Sequence, residues 1–121
     1  MEEAGYVKML QDQNGIEIYL NVEDDKVRAI GEKMNAINED AYMNGYNWEA
    51  FLHYYLYKNA PEVLDGMNAD PEAGMYAVGY RPTVTNQAKA ERLMEIINSL
   101  FSNEQEIYRI LQEEGDEIEW D

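Results

Sequence analysis

The chain has 121 residues, 25 of them Asp or Glu against nine Lys or Arg, for a formal net charge of −16 and a pI near 4.2. Nine cations cannot build the counterion-releasing surface that a nucleic-acid backbone demands, and an anionic membrane would repel the chain, so the expected partner is cationic. The absence of cysteine excludes a disulfide scaffold, a thiolate metal site and a cysteine nucleophile, while a hydrophobic share of 45% argues against disorder. No apolar run approaches the roughly 18 residues of a transmembrane helix. The start, Met1-Glu2-Glu3-Ala4, lacks the basic and apolar regions of a secretory leader. A cytoplasmic protein forming one domain over 1–121 is expected, with no repeat, linker or low-complexity tract.

The first predicted unit is a β-hairpin. Asn14-Gly15 is a favoured type I′ dipeptide, and a two-residue loop there pairs Met9 with Leu20 and Val7 with Val22. Those residues share an apolar face with Ile18, while Lys8 and Glu17 take the other. Residues 23–41 then read as a helix. Val27, Ile30, Met34 and Ile37 recur at spacings of three and four, and Glu23, Asp24 and Asp25 place negative charge at the positive end of the dipole. Gly31 weakens this helix by up to about 1 kcal/mol unless a close neighbour needs the space.

A second helix is expected from about Asn47, a good N-cap, to the residue before Pro61. Trp48, Phe51, Leu52, Tyr55 and Leu56 form its buried stripe. Gly74 to Tyr80 alternates as a strand, with Tyr76, Val78 and Tyr80 on one side. A third helix runs from about Thr85 to Phe101 on Leu93, Ile96, Ile97, Leu100 and Phe101. Asn103 and Glu106 resemble a capping box opening a short fourth helix, for which Gly115 is a plausible C′ residue. The tail alternates again, with Ile118 and Trp120 opposite Glu117, Glu119 and Asp121, and should dock as a short strand or extended arm. The predicted class is α+β: a small antiparallel sheet, built from the N-terminal hairpin plus one or two further strands, covered by about four helices.

Catalytic patterns are weak. His53 is the sole histidine, lies about 140° around its helix from Trp48, and has no nucleophile turn beside it. Asp70 and Glu72 could serve as acid and base, but among 25 acids such proximity arises by chance, and Pro71 and Gly74 make the segment a turn first. Asp12, Asn14 and Gly15 lack the order of a calcium loop. No glycine-rich phosphate cradle exists. No catalytic residue, cofactor or metal site is expected.

Two features stand out. Of ten tyrosines, Tyr42, Tyr46, Tyr54, Tyr55 and Tyr57 crowd around Trp48. Tyr54 and Tyr57 project opposite the buried stripe, either covered by another element or free as interface anchors. Acids also cluster: Glu113, Glu114, Asp116, Glu117, Glu119 and Asp121 fall in the last nine residues, while Glu39, Asp40, Asp70 and Glu72 charge the loops. Self-repulsion at this charge works against compactness. A basic partner compensates, because complementary potentials raise association rates from about 10⁵–10⁶ to 10⁸–10⁹ M⁻¹s⁻¹.

Three segments carry a resemblance: Asn44-Gly45-Tyr46-Asn47-Trp48-Glu49-Ala50-Phe51-Leu52, Asp70-Pro71-Glu72-Ala73-Gly74-Met75-Tyr76, and the run from Glu106 to Asp121. Together they resemble the immunity protein 51 family of bacterial polymorphic toxin systems, over a stretch from about Ile37 to the end. The resemblance implies a small cytoplasmic antitoxin that binds a cognate toxin domain, often a nuclease, and blocks it without catalysis. On chemistry, the expected contacts are Glu39, Asp40, Tyr42, Tyr46, Tyr54, Tyr57, Asp70, Glu72, Glu113, Glu114, Asp116, Glu117 and Glu119. The alternatives are an acidic adaptor or nucleic-acid mimic that binds a basic host protein, and a small carboxylate hydrolase using Asp70 and Glu72.

Overall fold

The computed structural model describes residues 6–121; Met1 to Ala4, read above for a leader, lie outside the described residues. In chain order the elements are β1 (Val7–Asp12), β2 (Gly15–Asn21), α1 (Asp25–Ile37), α2 (Gly45–Asn59), β3 (Asn68–Ala69), β4 (Met75–Tyr80), α3 (Val84–Ser102) and α4 (Glu104–Glu114). Short 3₁₀ turns follow α2 at Pro61–Val63 and α4 at Gly115–Glu117. The strands form one antiparallel sheet in the order β1-β2-β4-β3, giving the expected α+β class.

Alternation dictates which sheet face is covered. Ile16, Ile18 and Leu20 of β2 stand opposite Tyr80, Val78 and Tyr76 of β4, and all six are buried beneath the helices. Glu17, Tyr19, Met75 and Ala77 occupy the outer face. Above the covered face, Trp48 packs against Phe101 at 5.2 Å between ring centroids and edge-on to Phe51 at 6.2 Å. Burial of such large rings is the main stabilising contribution.

Several local expectations need correction. The hairpin pairs Val7 with Leu20 and Met9 with Ile18, closing between Asp12 and Gly15 rather than across Asn14-Gly15. Among the described residues no non-glycine has positive φ, and Gly15 does not either, so a type I′ turn does not form. Instead, the Asp12 carboxylate accepts from the backbone N–H groups of Asn14 (2.8 Å) and Gly15 (3.2 Å), an Asx turn that outcompetes the dipeptide preference. The pairing differs from expectation by two positions, which preserves the face of every side chain.

The first helix is shorter than 23–41. Asp24 caps it by accepting from the Lys26 N–H at 3.1 Å, and it stops at Ile37, which is exposed. A Cβ at Gly31 would stand 2.9 Å from the Met43 Cβ, so the glycine makes room for the returning chain. The cap of α2 is Asn44, which accepts from the Asn47 N–H at 2.9 Å. Asn47 lies inside the helix and buried, while Tyr55 is only partly buried. The capping box at α4 does not form: the Asn103 side chain makes no cap bond, and Glu106 pairs with Arg109 at 2.6 Å. Gly115 has φ −57° and so is no left-handed C′; a Cβ there would meet the Asn38 Nδ2 at 2.8 Å. The tail joins no strand of the sheet and runs as an extended arm after the 3₁₀ turn.

Glu104 ties α4 to α1. It accepts from Lys26 (2.5 Å), Lys33 (3.3 Å) and the Tyr108 hydroxyl (2.8 Å), and Lys26 first and Tyr108 next hold its carboxyl down at about 2. A carboxyl held below its unfolded value stabilises the fold above about pH 4.3, and that contribution disappears as pH falls towards 2. Glu104→Gln should therefore be less stable than the parent at pH 7, with the gap narrowing from pH 4 to pH 2 in denaturant titrations. A gap independent of pH would refute this role.

Candidate functional site

Helix α2 carries two stripes. Trp48, Phe51, Leu52 and Leu56 face the core. The same three-four spacing recurs on the opposite side through Tyr46, Glu49, Ala50, His53, Tyr54 and Tyr57. The C-terminal arm lies beside this second stripe. Its alternation turns Ile118 into the core and leaves Glu117, Glu119 and Asp121 on the groove side. Helix and arm enclose an open groove of about 780 Å³, within the range of about 300–1,000 Å³ of ordinary binding clefts.

One buried amide holds the arm in place. The Asn47 side chain donates to the Tyr42 carbonyl at 2.8 Å and accepts from the Asp121 N–H at 2.6 Å. Trp120 adds a bond from its indole N–H to the Gly115 carbonyl at 3.3 Å. On the floor, the His53 Nε2 and the hydroxyl of fully buried Tyr76 share a hydrogen bond of 3.0 Å. Burial lowers the His53 pKa to about 4, so the imidazole is neutral at physiological pH. Burial raises the Glu49 carboxyl, and the negative charge of Asp121 raises it further. Tyr54 is covered along one side: its hydroxyl donates to Glu114 at 2.5 Å, with burial first and that carboxylate second raising its pKa. Tyr57 is 71% exposed and Tyr46 41%, both uncovered. Tyr54 is therefore partly covered and Tyr57 free.

Of the thirteen residues expected at a partner surface, Tyr46, Tyr54, Tyr57, Glu117 and Glu119 line this groove. Glu114 supports its wall through Tyr54. The rest lie elsewhere: Glu113 pairs with Arg109 at 2.9 Å, Asp116 is exposed on the 3₁₀ turn, and Glu39 and Asp40 are exposed between α1 and α2. Tyr42, 70% exposed, borders a separate cleft of about 390 Å³ with Glu23, Glu32 and Gly74. Asp70 and Glu72 sit exposed on the β3–β4 turn, without the burial that poises a carboxylate pair for acid and base work. Sequence reasoning missed Glu49, His53, Lys58 and Asp121 as groove residues. The repeated spacing on the second face of α2 was the available signal for the first two.

Charge within the groove is lopsided. Glu49, Glu117, Glu119 and Asp121 face it together with one cation, Lys58, which sits 3.7 Å from Glu117 and 5.4 Å over the Tyr54 ring. Elsewhere most of the chain's few cations are held by its own acids, as in the Arg109 cluster with Glu106 and Glu113. Among the described residues no three His, Asp or Glu side chains converge on a metal-sized space, and no helix is long and apolar enough to cross a membrane.

A family model described as Immunity protein 51 matches residues 7–116. No curated protein and no solved structure matches the chain. The matched span starts at β1, well before the resemblance read from about Ile37 onward, and stops at Asp116, so Glu117 to Asp121 lie beyond it. With nearly its whole length covered by that model, the chain belongs to the immunity protein 51 family.

Proposed function

We propose that the chain neutralises a cognate toxin domain by binding it through the groove between α2 and the C-terminal arm, occluding the toxin's site without catalysis of its own. The observation that carries this reading is the convergence of exposed tyrosines and unneutralised carboxylates from segments some sixty residues apart in sequence. Tyrosine offers large amphipathic contact area at low entropic cost and suits the centre of an interface, while rim acids steer encounter. A basic partner fits, and a nuclease channel is basic because its substrate is a polyanion. The accessible surface is 6915 Å², so an interface of about 800 Å² per partner would use roughly a tenth of it.

The deciding experiment is growth rescue, in which the chain is co-expressed with candidate toxin domains in the cytoplasm. Rescue by the parent and its loss with Tyr57→Ala plus Glu119→Lys are the expected results. In stopped-flow measurements with the rescued toxin, raising salt from 50 to 500 mM should slow association by tenfold or more and change dissociation less. An association rate indifferent to salt would remove the acidic surface from the explanation. Capture of a host DNA-binding protein with no rescue of any toxin would favour the acidic-adaptor alternative.

A further inference from the structure

We propose that the groove between α2 and the C-terminal arm is an arginine-reading site, which takes a guanidinium carried on an extended segment of the toxin. This rests on the immunity reading above and names the chemistry of that same contact. Carboxylates approach from both walls, Glu49 from the helix and Glu119 and Asp121 from the arm. The exposed rings of Tyr46 and Tyr57 flank them. Among the described residues the one cation lining it, Lys58, is already engaged by Glu117 and by the Tyr54 ring.

Three properties favour arginine over lysine. A guanidinium is planar and weakly hydrated, so it stacks on a tyrosine face where a compact, strongly hydrated ammonium gains less. Its five donors form a fork that two facing carboxylate walls can satisfy together. The neutral imidazole of His53 on the floor offers no positive charge to repel it. Burial first and the charge of Asp121 second raise the Glu49 carboxyl, and a cation seated between the two acids relieves their mutual repulsion. The volume of about 780 Å³ exceeds what one guanidinium fills, leaving space for the segment that bears it.

The test uses the full chain and three short peptides of the form Gly-X-Gly-X-Gly, with X as arginine, lysine or uncharged citrulline, followed by NMR. The single histidine makes the His53 signal an unambiguous reporter of the groove floor. The arginine peptide should shift His53 and bind at least tenfold tighter than the lysine peptide, and the citrulline peptide should not bind. Glu49→Gln with Glu119→Gln should weaken arginine binding tenfold or more. Tyr57→Phe should keep the affinity and Tyr57→Ala lose most of it, since the ring face rather than the hydroxyl is used. Equal affinity for arginine and lysine, an unmoved His53 signal, or an unaffected Tyr57→Ala variant would each overturn the assignment. Growth rescue separates this inference from its parent. Rescue that survives the Glu49→Gln, Glu119→Gln pair overturns arginine reading and leaves immunity standing, whereas tight arginine binding without rescue of any toxin overturns the immunity function alone.

Discussion

Replacing Gly45 by alanine is expected to cost about 3 kcal/mol or more of folding stability. Gly45 is the first residue of α2, is buried, and donates its N–H to the Ala73 carbonyl at 2.8 Å. A Cβ there would stand 1.8 Å from the Glu72 carbonyl oxygen and 2.4 Å from that of Met75. Both obstacles are backbone atoms, one in the β3–β4 turn and one at the start of β4, so no rotamer change relieves the collision. Either the turn lifts or the helix start shifts, and both disturb the contact that seats α2 on β4. Gly79→Ala is the matched control, because its Cβ would meet the nearest backbone atom, the Ile16 carbonyl oxygen, at 3.4 Å; it should change stability by less than about 1 kcal/mol. Urea unfolding of the two variants measures the difference. A Gly45→Ala chain as stable as the control would disprove the close fit.

The second large effect is a dependence on pH carried by His53. Burial lowers its folded-state pKa to about 4, whereas an unfolded histidine titrates near 6.5. Between those values the unfolded chain binds the proton and the folded chain does not, so the stability is present in full above pH 6.5 and is lost as pH falls towards 4. The difference of about 2.5 pKa units corresponds to about 3 kcal/mol. Other groups titrate in the same window, so the comparison is parent against His53→Gln. Stability of the parent relative to that variant should fall by up to about 3 kcal/mol from pH 7 to pH 4 and then level off. An imidazole NMR titration midpoint near 6.5 would refute it.

The parts of the fold that were legible in the sequence are those where one local period decides. Helices α2, α3 and α4 follow from apolar residues spaced by three and four, β4 from strict alternation, and the hairpin's buried face from Val7, Ile18 and Leu20. What escaped has a specific competitor in each case. Asn14-Gly15 lost to the Asp12 side chain, which satisfies the turn without positive φ. Asn44 and Asn47 are equally good caps by composition, and Asn47 is drawn inside by two partners, the Tyr42 carbonyl and the distant Asp121 N–H. The two-residue strand β3 is too short to show a period. At the groove, the alternation of the arm was readable, and so were Tyr46 and Tyr57 as candidates. The three-four spacing places Glu49 and His53 on one face with Tyr46 and Tyr57, but that this face borders a groove depends on the contact joining positions 47 and 121, which no local pattern encodes.

Past the 3₁₀ turn, the far wall of the groove belongs to no helix or strand; it hangs from the Asn47 amide and the inward side chains of Ile118 and Trp120. Of its outward side chains, Glu117 pairs with Lys58 at 3.7 Å, whereas those of Glu119 and Asp121 are exposed and pack into nothing. On the proposed reading, substitutions at those two positions should alter partner choice and leave the scaffold's stability within about 0.5 kcal/mol.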